Sequence, residues 1–319
     1  MTETLQPAPT GVRPTADPID DALLTALSRD GRTGVEALAR ETGLSRAVVR
    51  QRTHRLLTEV VDVVGIVHPA VFGLTEYAHL RVAPSGTAAA AASAVADHPG
   101  VPFVSITAGD VPVVAEVRAR SRAVLADTVA RIAAHPAVAD VETTVYLAIL
   151  ADAAAPTPAR TTSPGSSIEI DEVDRRLLGA LQRDGRSSYS VLSGLVGLSV
   201  GAARARVLRL LDAGVVRIGV RPRPATAGLV QAGVAFLAHG APDELADLVG
   251  ALPGVTYLAT TLGRWSLLAT VQAESLPVLA ERLDALRALP GAGRLVTWTH
   301  LRVVKERYQD DLVDGPSSG

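Results

Sequence analysis

Apolar residues recur at helical spacing near the start of the chain and predict the first of three short helices. Leu23, Leu24 and Leu27 form its apolar stripe, and Asp20 precedes them as the expected N-cap. A DGR turn stops this helix. The segment TGVE, at residues 33–36, then has the spacing of a capping box and predicts the start of a second helix.

The third predicted helix carries most of the positive charge of this domain. Gly43 ends the second helix, and Ser45 caps the third, which runs to about residue 57. Helix, glycine turn, helix at this spacing is typical of a helix-turn-helix domain. The other faces of the third helix carry Arg46, Arg50, Arg52, His54 and Arg55, with no acid among them. Long donors suit guanine edges and phosphates, so Ser45 and these five residues are predicted to bind DNA.

The same pattern returns 154 residues later. Residues 19–65 and 173–219 align without a gap, with 20 identities in 47 pairs. The offset holds in the following half, where the PGV segment at 99–101 aligns with 253–255. The chain is therefore a tandem repeat of two units.

The third helix of the second copy keeps only part of the basic set. Its predicted DNA contacts are Ser199, Arg204, Arg206 and Arg209. Val200 stands where the first copy has Arg46, and Leu208 stands where it has His54. We therefore expect the second helix to bind phosphates and to discriminate bases less well.

The second half of each copy alternates β-rich and helical segments in the order βαββαβ, the ferredoxin-like split unit. The first copy gives segments at 76–82, 88–97, 101–107, 111–117, 122–134 and 141–150. The second gives 231–238, 242–251, 255–262, 265–271, 276–289 and 294–304. Helices cover one face of such a sheet, so the other face is expected to meet a partner sheet, from the other copy or another chain.

These segments resemble the Lrp/AsnC (feast/famine) family of transcription regulators. The segments that carry the resemblance are IDDALLTALSRDGR, ETGLSRAVVRQRTHRL, HPAVFGL, TAGD and HPAVADVETTVYL, most of which recur in the second copy. The resemblance implies a winged helix-turn-helix domain that binds double-stranded DNA, then a ligand-binding (RAM) domain that dimerises and senses small effectors such as amino acids. It also implies homo-oligomers, dimers or larger, and a fused chain that acts as its own pseudo-dimer.

The predicted fold class is thus α+β, two tandem units of winged helix-turn-helix plus ferredoxin-like domain. The predicted boundaries are a disordered tail (1–17), helix-turn-helix domains (18–65 and 171–219), RAM domains (66–152 and 220–310), a linker (153–170) and a second tail (311–319).

The resemblance places the effector pocket at the turn that follows the central strand. The matching positions are Thr107, Ala108, Gly109 and Asp110, with Thr261, Leu262, Gly263 and Arg264 in the second copy. The family often has an acidic residue three positions after that glycine, where it holds an amino group. Pro112 and Ser266 stand there instead, so two alternatives to amino-acid sensing stay open: a different effector, or loss of sensing in one or both copies.

Composition narrows the remaining possibilities. The 319 residues include no cysteine, which excludes disulfides, thiolate metal sites and cysteine nucleophiles. The formal net charge is −2, so any DNA binding must come from a local basic patch. No histidine pair has metal-ligand spacing, and no nucleotide-binding or hydrolase motif occurs, so we expect neither metal, cofactor nor enzymatic activity. No signal peptide or apolar membrane span is evident, and we expect a cytoplasmic protein.

Two other functions stay open at this point. Siroheme decarboxylases have a similar two-half architecture, and such an enzyme needs a basic pocket for tetrapyrrole carboxylates. The second alternative is an effector-binding or assembly protein that no longer reads DNA. The smaller set of basic residues on the third helix of the second copy is consistent with it. Trp265 and Trp298 are expected on opposite sides of the second sheet, as core or interface residues or as a ligand cage.

Overall fold

The structure is a computed structural model that describes residues 17–67, 69–152, 169–222 and 229–306. The predicted tails apart from Asp17, nearly all of the linker and His68 of the HPAVFGL segment lie outside these ranges. The chain divides into two compact units, residues 1–71 with 153–229 and residues 72–152 with 230–319. Each unit therefore combines matching halves of the two repeats.

Both copies contain the predicted order of elements. The first copy has α1 (Pro18–Arg29), α2 (Val35–Thr42), α3 (Arg46–Arg55), a π-helical turn (Leu56–Val60), β1 (Val61–Val67), a 3-10 turn (Pro69–Phe72), β2 (Glu76–Pro84), α4 (Ala88–Ala96), β3 (Phe103–Ala108), β4 (Val113–Ala119), α5 (Arg122–Ala133) and β5 (Val138–Asp152). The second has α6 (Glu172–Arg183), α7 (Tyr189–Val196), α8 (Val200–Asp212), β6 (Val216–Pro222), β7 (Val230–Ala238), α9 (Pro242–Gly250), β8 (Val255–Leu262), β9 (Leu267–Ala273), α10 (Leu276–Arg287) and β10 (Ala292–Glu306). The α+β fold class and the βαββαβ order are confirmed.

The helix caps follow the sequence signals in some places and depart from them in others. Ser45 caps α3 as predicted, since its side chain accepts a hydrogen bond from Val48 N, and Gly43 ends α2 at a φ of 70°. The prediction that Asp20 caps α1 is wrong, because Asp17 fills that role and Asp20 is buried in the first turn. The predicted capping box at residues 33–36 is also wrong, since the N-cap of α2 is a glycine with no side chain to accept the bond.

The first unit joins the two helix-turn-helix domains through a two-stranded ribbon that the sequence did not reveal. β1 pairs antiparallel with β6, from Val61 opposite Pro222 to Val67 opposite Val216. Val220 of β6 packs against the apolar core of the first three-helix domain, so the ribbon both joins the two domains and contributes to that core.

The DGR turn that stops α1 also joins the two domains. Arg32 Nε donates a hydrogen bond of 2.7 Å to the carbonyl of Gly185, and Arg186 Nε donates one of 2.7 Å to the carbonyl of Gly31. The backbone amide of each glycine donates to the opposite ribbon strand at 2.9 Å. These reciprocal contacts are termed the arginine clasp below, and they relate the two domains by a pseudo-two-fold axis.

The second unit is a closed barrel of eight strands in the order β10-β3-β4-β2-β5-β8-β9-β7. The two longest strands close it. The first part of β5 pairs with β2 and its last part pairs with β8 of the other copy, while β10 pairs in the same way with β7 and then β3. The partner sheet expected from the sequence is therefore the sheet of the other copy.

Helices pack on the outside of both sheets over aliphatic cores, and a separate cluster lies between the sheets. Its buried members are Val114, Ala235, Trp265, Leu268 and Trp298. The prediction that the two tryptophans lie on opposite sides of the second sheet is wrong, because barrel closure brings both into this one cluster. The prediction that they are core or interface residues is confirmed.

Within the described ranges, no single helix is long and apolar enough to cross a membrane, and one bent pair, α7 with α8, meets that test only when its two helices are taken together.

Candidate functional site

The third helix of the first copy, α3, is fixed to α1 by two of its own arginines. Arg52 binds the carboxylates of Asp17 and Asp20, with 3.3 Å between Arg52 Nη1 and Asp20 Oδ1. Arg55 binds the other oxygen of Asp20, whose side chain is only 1% exposed. A backbone hydrogen bond from Ile19, together with the Arg52 guanidinium, holds the pKa of Asp17 below its usual value. The buried carboxylate thus sets the position of α3 on its domain.

The second copy repeats this arrangement, which is termed the aspartate frame here for both copies. Arg206 Nη1 lies 2.6 Å from Asp171 and 3.1 Å from Asp174, and Arg209 binds the second oxygen of Asp174. A backbone hydrogen bond from Asp174 is the largest cause of the lowered pKa of Asp171, followed by the Arg206 side chain. All four arginines of the frame were predicted to bind DNA. Their carboxylate partners could not be predicted from local spacing, because they lie about 35 residues earlier in the chain.

The outward face of α3 holds the polar side chains that the frame does not use. Arg46, Arg50, Gln51 and His54 are all exposed. Arg46 Nη1 lies 3.2 Å from Glu36, but both side chains are more than 70% exposed, so this pair constrains Arg46 little. Arg50 has no ion pair among the described residues. Gln51 was missed by the sequence analysis, although its position between two predicted contacts was a usable signal.

The outward face of α8 has the same geometry and different chemistry. Ser199 caps it as Ser45 caps α3, with a 3.2 Å hydrogen bond from Ala202 N. Arg204 is exposed and forms no ion pair within the described part of the chain. Val200 is 49% exposed, and Leu208 is half-buried. One long donor therefore remains where the first copy has four polar side chains.

The predicted effector residues form two tight turns, each seated against the last strand of the other copy. Thr107 donates from Oγ1 to Val111 O at 2.7 Å, and Thr261 donates to Trp265 O at 2.7 Å. Gly109 has a φ of 153°, and a Cβ there would lie 3.1 Å from the Cβ of Trp298. The threonines are buried and committed to closing the turns, so the groups left to meet a ligand lie at the turn tips.

The tips differ between the copies. Asp110 is exposed, with 4.0 Å between its carboxylate and Arg81 Nη2. Leu262 is well exposed, and the guanidinium of Arg264 lies over the Trp265 ring, 5.2 Å from its centroid. The first turn thus offers an acid and the second a cation.

Each half of the repeat matches the model of a known domain family. The AsnC-type helix-turn-helix domain matches residues 17–57 and 170–211, and the Lrp/AsnC ligand binding domain matches residues 77–155 and 232–310. The chain belongs to the Lrp/AsnC family. Its barrel is therefore a pair of Lrp/AsnC ligand-binding domains, and its first unit is a pair of AsnC-type helix-turn-helix domains.

Relatives of two kinds resemble this chain. An uncharacterised HTH-type transcriptional regulator of Pyrococcus horikoshii is 28% identical over 145 residues, which cover 43% of this chain and 96% of that protein. The siroheme decarboxylase NirDL subunit of Paracoccus denitrificans is 38% identical over 128 residues, which cover 38% of this chain and 39% of that protein. The crystal structure of siroheme decarboxylase NirDL with an iron-uroporphyrin III analogue has a TM-score of 0.66 at 15% identity and covers 92% of this chain and 94% of that one. That likeness shows that the two chains share a fold.

Between its two ligand-binding sheets the barrel holds polar residues that the sequence analysis missed. Glu142 accepts hydrogen bonds from Arg81 Nη1 at 2.9 Å and from Trp265 Nε1 at 3.1 Å. Glu116 and Arg118 form a second, buried pair on β4. Polar residues alternate with apolar ones along β2 and β4, so the period of two was the signal for a polar inner face.

Two histidines lie inside the barrel in neutral form. Burial lowers the pKa of His79 to about 3 and that of His300 to about 4. The His79 ring stacks on Trp298 with 5.2 Å between centroids, and Trp298 packs directly on Gly233. This stack fills the barrel beside the turn that holds Gly109.

Proposed function

We propose that the chain is a sequence-specific transcription regulator that binds double-stranded DNA through α3 and α8. The observation that carries this proposal is the outward face of α3, whose four polar side chains are exposed while the aspartate frame holds the helix in place. As a DNA-binding regulator the protein would act in the cytoplasm.

The proposal gives the basic residues two different roles. Contacts with DNA are assigned to Ser45, Arg46, Arg50 and His54 in the first copy and to Ser199 and Arg204 in the second. Each serine hydroxyl accepts a bond at its helix cap and retains its proton to donate to a phosphate. Arg52, Arg55, Arg206 and Arg209 position the helices, and their partly exposed guanidinium groups add positive charge close to the backbone of the DNA. The arginine clasp keeps the two helices at a fixed spacing, as binding to successive major grooves requires.

The test is fluorescence anisotropy of the full chain on DNA from upstream of its own gene, over a salt series, beside an unrelated fragment of equal length. Tight binding to the first DNA with a steep negative salt slope is expected. Arg50→Ala should weaken binding at least tenfold, and Arg204→Ala should weaken it less and lower the salt slope by about one. Arg131→Ala is the control, since Arg131 lies on α5 and pairs with Asp127 at 2.8 Å. Equal, weak binding to both fragments would contradict the proposal and favour an assembly protein without DNA reading.

We further propose that the barrel senses a small effector, an amino acid or a similar molecule, at the two turns and that chains associate through it into homo-oligomers. The assigned residues are Thr107, Ala108, Gly109, Asp110, Thr261, Leu262, Gly263 and Arg264. The chain has two tryptophans, and both lie in the barrel, so their fluorescence reports on this unit alone. A saturable change with an effector, lost in Arg264→Ala, is the expected result. No change with any amino acid, and no change in molecular mass, would contradict effector sensing of this kind.

A siroheme decarboxylase activity is the second candidate, and the identity to the NirDL subunit favours it. Two observations weigh against it. Trp298 occupies the space over Gly233 inside the barrel, and both inner arginines, Arg81 and Arg118, are already paired with glutamates. Incubation of the purified chain with siroheme tests it directly. Carbon dioxide release with a decarboxylated product would overturn the regulator proposal.

A further inference from the structure

The outward faces of the two recognition helices differ position by position. Val200 takes the place of Arg46, Ala205 that of Gln51 and Leu208 that of His54, while Arg204 keeps the place of Arg50. Val200 and Ala205 are exposed to solvent. Three polar side chains of the first face have thus become apolar in the second.

Val200, Ala205 and Leu208 lie in the same local geometry in the second copy as their counterparts do in the first. The serine cap and the aspartate frame are present in both copies, so α8 is presented as α3 is. Arg204 lies one turn after Val200 on the same face, which keeps a phosphate-binding or guanine-binding donor beside the apolar positions. The face is therefore a recognition surface with altered chemistry.

An apolar side chain in a major groove has one partner that it recognises well, the C5 methyl group of thymine. We infer that Val200, with Ala205 and Leu208, reads thymine methyl groups in the second half-site, and that Arg204 anchors this helix. This inference rests on the proposed DNA binding and adds the base class that the second copy selects. The two half-sites of the operator then differ, the first read through hydrogen bonds and the second through methyl contacts.

The experiment starts from duplexes selected out of random DNA by the full-length chain. Footprints of the unaltered chain and of Arg204→Ala identify the half-site that α8 covers. Deoxyuridine then replaces thymidine in one half-site at a time, which removes only the methyl groups. The expected result is about a fourfold loss of affinity for each contacted methyl in the α8 half-site. Little change is expected in the α3 half-site.

A pair of variants separates methyl reading from general weakening. Val200→Ala should bind the unmodified duplex less tightly and should lose much of the discrimination between thymidine and deoxyuridine. Arg46→Ala should weaken binding while leaving that discrimination unchanged. If the chain binds its selected DNA with a steep salt slope but tolerates deoxyuridine everywhere, the inference is wrong and the proposed function stands.

Two other results would overturn the inference in different ways. Failure to select any DNA would remove the proposed function together with it. An Arg204→Ala variant with unchanged affinity and footprint, combined with a lower molecular mass for Val200→Arg, would identify the apolar face as a contact between copies of this chain.

Discussion

In the first helix-turn-helix domain α3 turns Arg46, Arg50 and His54 outward, whereas α8 in the second turns out Val200 and Arg204. Behind these faces, the aspartate frame is the same in both domains. Residues that hold the helix in place were kept after duplication, whereas among the outward-facing residues only Arg50 has an identical counterpart, Arg204. The comparison shows that the side chains that position the third helix and the side chains on its outward face diverged separately.

The ligand-binding barrel differs between its copies in a related way. The positions of His79 and Gly233 match in the repeat, as do those of Thr144 and Trp298. The bulky Trp298 packs over the glycine of its own copy and stacks on the histidine of the other. Asymmetry here fits the two copies to each other, which a homodimer of either copy could not reproduce.

The largest expected effect is a loss of barrel stability when the contact between Gly233 and Trp298 is disturbed. Gly233→Ala places a Cβ where it would overlap the Trp298 indole, and that ring is buried and stacked on His79. We expect the free energy of unfolding of the barrel to fall by about 3 kcal/mol, at the upper end for overpacking. Urea unfolding followed by tryptophan fluorescence measures this.

The matched control is Gly250→Ala at the end of α9, where the new Cβ would meet only Leu258, at 3.5 Å. It should change stability by less than about 1 kcal/mol, in the stabilising direction. Equal effects of the two substitutions would show that the Trp298 contact does not constrain the barrel.

The two aspartate frames should contribute equally to the stability of the first unit. Asp20→Ala and Asp174→Ala each remove a buried carboxylate shared by two arginines. Because those arginines remain partly solvated, each variant should lose about 2 kcal/mol from the first unit, with similar values in the two copies. Circular dichroism during thermal unfolding measures the loss. Glu36→Ala is the control, since its exposed pair with Arg46 should contribute less than about 1 kcal/mol.

These elements also show where sequence reasoning ends. Periodicity located the helices and strands, and Ser45 and Gly43 marked the boundaries of α3 and α2, because such signals act within a few residues. The prediction of Asp20 as the cap of α1 was wrong, because the Asp17 side chain caps the helix while Asp20 is buried and bound by Arg52 and by Arg55, more than 30 residues later in the chain. Local pattern contains no information on that contact.

Long-range pairing was hidden for the same reason. Nothing in the sequence of β1 identifies β6 as its partner, and the DGR turn looked like a helix stop before the arginine clasp was seen. The candidate turns at Gly109 and Gly263 came from family resemblance. Each turn contacts the last strand of the other copy only because the two sheets close into one barrel. The residue pattern within one copy does not predict that closure.

A smaller effect concerns the inner histidines of the barrel. The pKa of His79 is about 3 in the fold and 6.5 in the unfolded chain, so stability is fully present above pH 6.5. As the pH falls below that value only the unfolded chain takes up the proton, and stability is lost progressively toward pH 3. His79 should therefore account for a loss of about 2 kcal/mol by pH 5. Urea unfolding of the barrel at a series of pH values measures the slope, and His79→Phe, which keeps the stacked ring, should flatten it. An unchanged slope in that variant would assign the acid sensitivity to other groups.

The smallest effect tests the symmetry of the arginine clasp. The guanidinium of Arg32 lies 5.2 Å from the ring centroid of Tyr189, and the repeat places Val35 at the matching position beside Arg186. A cation–π contact of this kind contributes about 0.5–1 kcal/mol at a partly exposed site. A double-mutant cycle of Arg32→Ala with Tyr189→Leu should therefore show that coupling, while a cycle of Arg186→Ala with Val35→Leu should show almost none. Equal coupling in both cycles would mean that the clasp is symmetric in energy as well as in its hydrogen bonds. The divergence between the copies would then be confined to the outward faces of α3 and α8 and to the barrel interior.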